Sequence, residues 1–71
     1  MNALKTFLSS QKQYTDRNEI AEVLEISIDT VRRNEPGLGL DACKVSINRR
    51  FVRYWRADAI RVLREKKVIP A

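Results

Sequence analysis

The sequence predicts a mainly α domain with one small β-hairpin. Three observations carry that expectation. Two short amphipathic segments follow one another between residues 16 and 34, two β-branched and aromatic stretches flank a polar turn at residues 44–54, and a further apolar-periodic stretch opens at Arg56. With 71 residues the chain is expected to form one domain, residues 1–71. A core of that size holds a few helices and a hairpin, and can hardly wall off a catalytic cavity as well.

The elements follow in chain order. Residues 1–13 are expected to hold an N-terminal helix, with Leu4, Phe7 and Leu8 at i, i+3 and i+4. That narrow stripe suits packing on the core, with a dimer contact as the sharper alternative. Tyr14-Thr15-Asp16-Arg17-Asn18-Glu19 begins the next helix, where Thr15 or Asp16 can cap and Asp16 with Glu19 has capping-box spacing. Ile20, Ala21, Val23 and Leu24 form its buried side. After a break at Glu25-Ile26-Ser27, Ser27 is a good N-cap for a short helix through Asn34. Glu35-Pro36-Gly37 should stop it, because Pro36 disfavours helical geometry in the residue before it and has no N–H.

Leu38-Gly39-Leu40-Asp41-Ala42 reads as a connecting loop. Lys44-Val45-Ser46-Ile47 and Phe51-Val52-Arg53-Tyr54 then read as strands around Asn48-Arg49-Arg50, a hairpin over residues 44–54. A final helix is expected over residues 56–67, lined on one side by Ala59, Val62, Leu63 and Lys66 with Ile60 beside them. Lys66 and Lys67 suit its C-terminal end. The last four residues are a tail.

Charge divides the chain. Residues 1–43 carry five Lys/Arg and seven Asp/Glu, whereas residues 44–71 carry nine and two. The basic second half fits a polyanion partner, or else a solvated face that keeps the chain soluble. There is no histidine and one cysteine, so a disulfide within the chain and a Cys/His zinc site are excluded. Cys43 reads as packing material. No leader or membrane span is recognisable, and a cytoplasmic protein without cofactor, metal or small-molecule substrate is expected. Nucleophilic and acid–base designs lean on His, on Cys with a base, or on paired carboxylates in a cleft; the chain lacks the first two and is small for the third, so it is not expected to be an enzyme.

Two helices around a tight turn over residues 15–35, followed by a basic hairpin, is the order of a winged helix-turn-helix. Ala21 lets the helices cross closely, and Ile26 with Val31 pins them together. The outer surface of the second helix is left to Asp29, Thr30, Arg32, Arg33 and Asn34, residue types that suit the major groove. Adjacent cations at the hairpin tip, Arg49 and Arg50, suit phosphates. Arg61 and Arg64 read as a solubilising face, Asp58 as a helix-start charge, and Tyr54 and Trp55 both as core.

Three pieces of the chain also resemble a known pattern: Glu19-Ile20-Ala21-Glu22-Val23-Leu24-Glu25-Ile26-Ser27, Thr30-Val31-Arg32-Arg33, and Arg50-Phe51-Val52-Arg53-Tyr54-Trp55-Arg56-Ala57-Asp58-Ala59-Ile60. Through them residues 15–65 resemble the excisionase-type winged-helix proteins of phages and mobile elements, within the MerR superfamily. The resemblance implies double-stranded DNA binding by an architectural recombination factor or small transcriptional regulator. An integrase or recombinase, or self-association on DNA, would complete the assembly. Ser27, Asp29, Thr30, Arg32, Arg33 and Asn34 fall on recognition-helix positions. Lys44, Asn48, Arg49, Arg50, Arg53 and Arg56 fall on the wing and its base.

The chain departs from the pattern at Glu25, where the turn often has Gly, so that residue is strained or the turn differs. Asn34 stands at a usually apolar place, and the segment from Leu38 to Cys43 is longer than is typical. The rival expectation is a winged helix that captures a host or replication protein through Glu19, Glu22, Glu25, Asp29 and Glu35.

Overall fold

The computed structural model describes residues 3–46 and 52–70. Its first element, α1 (Ala3–Ser9), follows from the expected stripe: Phe7 is fully buried, and Leu4 and Leu8 pack half-buried against the core. The helix ends at Ser9, short of residue 13, where the Ser9 hydroxyl turns back to donate to the Lys5 carbonyl at 2.8 Å. Beyond it the Ser10 hydroxyl accepts from the Lys12 N–H at 3.2 Å, a local turn that takes the place of the helical ladder.

Residues 14–16 correct the expectation that the next helix starts there. Tyr14–Asp16 form a strand, β1, and α2 runs from Arg17 to Leu24. Asp16 serves both elements. Its extended backbone closes the strand, and its carboxylate caps α2 by accepting from the Glu19 N–H at 2.9 Å. The Glu19 carboxylate departs from the capping-box geometry, since it accepts from the Thr15 hydroxyl and pairs with Arg56.

The turn to the next helix is tight. Glu25 caps α2 in the left-handed conformation, at φ 58° and ψ 42°, and Ile26 N–H returns to the Ala21 carbonyl at 3.0 Å. Ser27 then caps α3 (Ile28–Arg33) by accepting from the Thr30 N–H. Buried Ile20 and Ala21 of α2 and buried Val31 of α3 belong to one core, and Ala21 offers the small side chain that a close crossing needs.

The short helix α3 stops before Glu35-Pro36-Gly37, as expected, but a new helix starts there. Pro36 sits in the first turn of this helix, α4 (Glu35–Leu38), where its missing N–H costs nothing. The supposed loop beyond it is ordered too. Gly39 closes α4 at φ 77°, and a 3-10 helix spans Leu40–Cys43 with Leu40 and Cys43 buried. A Cβ on Gly39 would lie 3.3 Å from the Cβ of Val62, so both the backbone and the packing call for glycine there.

The hairpin strands are β2 (Lys44–Ser46) and β3 (Val52–Trp55). The residues expected at its tip, Asn48, Arg49 and Arg50, lie outside the described residues. β3 is central in a three-stranded antiparallel sheet of order β1-β3-β2, so the hairpin is joined to the domain through β1. Thr15 and Lys44 flank Tyr54 across the sheet, and Thr15 and Tyr54 are buried. Trp55 departs from the core expectation: it is 37% exposed and stacks on Tyr14, its cross-strand partner, with ring centroids 4.8 Å apart.

The last helix, α5 (Arg56–Glu65), buries Ala59, Val62 and Leu63 as its periodicity indicated. Lys66 is its exposed cap and lines no buried side. The tail packs. Val68 N–H bonds the Leu63 carbonyl, Lys67 turns left-handed at φ 61°, and Ile69 is brought back into the core. Among the described residues no helix is long and apolar enough to cross a membrane.

The strain at Glu25 can be relieved. A left-handed residue with a Cβ costs about 1–2 kcal/mol, and glycine recovers part of it after its own entropic loss. The E25G variant is expected to be about 0.5–1 kcal/mol more stable than wild type by urea unfolding. Equal or lower stability would show that the turn is not strained.

Candidate nucleic-acid interface

The six residues expected on the recognition helix, on or beside α3, divide into two groups by their geometry. Ser27 and Thr30 face one another, with hydroxyl oxygens 2.7 Å apart, and Thr30 is half-buried. Asn34 donates its amide to the Thr30 carbonyl at 2.8 Å, which closes the helix end. These three finish the helix locally. Asp29, Arg32 and Arg33 form its outward surface, exposed and remote from the core.

Asp29 holds both arginines. One carboxylate oxygen pairs with the Arg32 guanidinium and the other with Arg33 Nε at 3.0 Å. All three side chains are roughly half or more exposed, so water and ions screen the pairs and each contributes little to stability. Their effect is on orientation. The two guanidinium groups are gathered around one carboxylate, and the local charge of the trio is one positive unit rather than two.

Behind this surface stands Glu35, the first residue of α4 and only 4% exposed. Oε1 accepts from Arg17 of α2 and from the Tyr54 hydroxyl of β3, while Oε2 accepts from Lys44 Nζ of β2 at 3.1 Å. Burial pushes the Glu35 carboxyl up, but the bonds from Tyr54, Arg17 and Lys44 outweigh burial and hold it below the ordinary value of 4.5. The Tyr54 hydroxyl is raised above its ordinary range, first by burial and then by its bond to that carboxylate. Burial opposes the charge on Arg17, yet its bonds to Glu35 and Tyr54 raise it on balance. One carboxylate thus ties α2, the segment after α3 and both hairpin strands together.

Of the residues expected to meet phosphate from the hairpin and its base, Arg56 and Lys44 differ from the expectation of open contacts. Arg56 is a correction. It is 5% exposed, and its guanidinium donates to the carbonyls of Lys12 at 2.8 Å, Phe7 at 3.1 Å and Tyr14 at 3.0 Å. Glu19 pairs with it at 2.8 Å, and the Phe7 ring lies 5.3 Å away. A cation so enclosed is a structural tie between α1, β1, α2 and α5, and it is not free to meet a phosphate. Lys44 is engaged with Glu35, although part of its side chain remains in solvent. Arg53 lies half-buried in the centre of β3, between Asp16 and Val45 in the sheet register.

The acidic surface of the rival reading is also reduced. Glu35 is buried, and Glu19 is half-buried against Arg56, which leaves Glu22, Glu25 and Asp29 on the outside. Cys43 is buried, and burial, then the charge of Asp58, raises its thiol above the usual value, so it lacks the character of a reactive thiolate. Among the described residues no three His, Cys, Asp or Glu side chains cluster in metal-holding geometry.

Sequence reasoning missed the Glu35, Arg17 and Tyr54 assembly. The one local signal was an acidic residue placed directly before Pro36 and one residue beyond α3. Comparison of the chain with known protein families, curated proteins and solved structures finds no match.

The lowered Glu35 carboxyl has a consequence for acid stability. Its folded value lies below 4.5, so the folded state binds fewer protons, and its contribution is fully present above 4.5 and lost as the pH falls further. Urea unfolding from pH 7 to 2.5 should show wild type losing stability below that point. E35Q should be about 2 kcal/mol weaker at pH 7 and flatter in acid. Parallel profiles for the two proteins would contradict this assignment.

Proposed function

We propose that this chain is a winged helix-turn-helix protein that binds double-stranded DNA with sequence preference, as an excisionase-like architectural factor or a small transcriptional regulator. In this reading α3 enters the major groove, and the β2–β3 hairpin, with Asn48, Arg49 and Arg50 between its strands, follows the phosphate backbone. The protein acts without catalysis, in the cytoplasm, alongside a recombinase or further copies of itself on neighbouring sites.

The observation that carries the reading is the outward face of α3. Val31 anchors the helix to the core, while Asp29, Arg32 and Arg33 project into solvent and take no part in the fold beyond their own pairing. The basic half of the chain supplies the long-range attraction, since nine of the fourteen Lys/Arg lie in residues 44–71. The resemblance of residues 15–65 to excisionase-type proteins gives the reading its functional class.

Fluorescence anisotropy on a random duplex across a salt series tests it. Wild type is expected to weaken with salt as though releasing about four to six phosphate contacts at ~0.9 each. The R49A/R50A variant should lose about two contacts from that slope, and R32A/R33A should bind any preferred site at least about tenfold more weakly. No binding at low salt would overturn the DNA reading in favour of capture of a protein partner.

A further inference from the structure

Among the described residues three large hydrophobic side chains stand well into solvent: Ile28, Trp55 and Val68. Trp55 has the Tyr14 ring to stack on, and Val68 belongs to the turn that returns Ile69 to the core. Ile28 has neither excuse. It is the first residue of α3, 49% exposed, and one helical turn before Arg32.

We infer that Ile28 is a specificity-determining residue that packs against the 5-methyl group of a thymine in the major groove. The inference rests on the DNA reading above. The polar side chains around Ile28 are already matched to one another: Ser27 with Thr30, Asn34 with the Thr30 carbonyl, and Asp29 with Arg32 and Arg33. Ile28 is the side chain of this surface with no polar partner to satisfy and a large apolar area to cover. The thymine methyl is the apolar group that the major groove offers. Residues i and i+4 share one stripe of a helix, so Ile28 and Arg32 can reach neighbouring base edges together. Charge fits the same orientation. Asp29 leaves the trio one net positive charge in place of two, so this face draws phosphate less than two free arginines would, and the backbone is left chiefly to the hairpin.

The test uses the full chain and a duplex selected from a randomised library by wild type. Each thymine of that duplex is replaced in turn by deoxyuridine, which removes the 5-methyl group and leaves the pairing intact. At one thymine of each bound site wild type should lose about fourfold in affinity, the worth of one buried methyl group. I28A should lose about the same on the unmodified duplex and show no further loss at that uracil. Equal binding of I28A and wild type to an unselected duplex keeps a folding defect from imitating this result.

Uracil tolerated at every thymine, an equal uracil penalty in I28A, or a selected site without thymine would overturn the role of Ile28 while the DNA reading stands. Absence of wild-type binding to any duplex would overturn both.

Discussion

The carboxylate of Glu35 decides where the second half of the chain lies against the first. A charge taken out of water is costly unless it is fully met, and this one receives Arg17, Tyr54 and Lys44 from three different elements. The bonds overcome the burial that opposes them, so the group remains a carboxylate in the fold. Pro36 follows at once and turns the backbone into α4, which holds Glu35 inward at the end of α3. The arrangement makes the position of α3 and that of the hairpin consequences of one assembly. A shift of either would leave a buried charge unmet.

Arg56 plays the complementary part on the other side of β3. Its fork of donors satisfies carbonyls at the end of α1 and around β1, groups that a three-residue strand and a short helix leave without ladder partners. A thin apolar core built on Phe7, Ile20, Val31, Leu40, Tyr54 and Leu63 is thereby flanked by two buried charges of opposite sign. No described buried side-chain nitrogen or oxygen lacks a partner, which is the condition for such charges to be tolerated. With the core and both charges turned inward, the outer face of α3 has no structural duty left.

The parts legible in the sequence were those with a period or a local chemical signature. The stripes of α2 and α5, the Asp16 and Ser27 caps and the β-branched strands of the hairpin are all written within a few residues. The strain at Glu25 was legible too, because a turn that favours glycine held a residue with a Cβ. What escaped was fixed by distant partners. Three residues at 14–16 carry no period of their own, and they become a strand because β3 lies beside them. Arginine is exposed by default, so Arg56 reads as a surface cation until the carbonyls of Phe7, Lys12 and Tyr14 are brought around it. Pro36 signals the end of one helix equally well as the first turn of the next. Asp29, Arg32 and Arg33 face outward from α3, whereas their pairing through Asp29 and the local bonds of Ser27, Thr30 and Asn34 follow only from side-chain geometry.

In the proposed DNA complex α3 and the hairpin, both tied to Glu35, meet the same duplex. A titration of isotopically labelled protein with a short duplex, followed residue by residue through the backbone amide resonances, tests it most directly. Shifts are expected to concentrate in residues 27–34 and 44–53, with the helix α5 and the Tyr14–Trp55 pair left nearly unmoved. Shifts centred on α5 or on the aromatic pair, or confined to the hairpin with α3 silent, would contradict it.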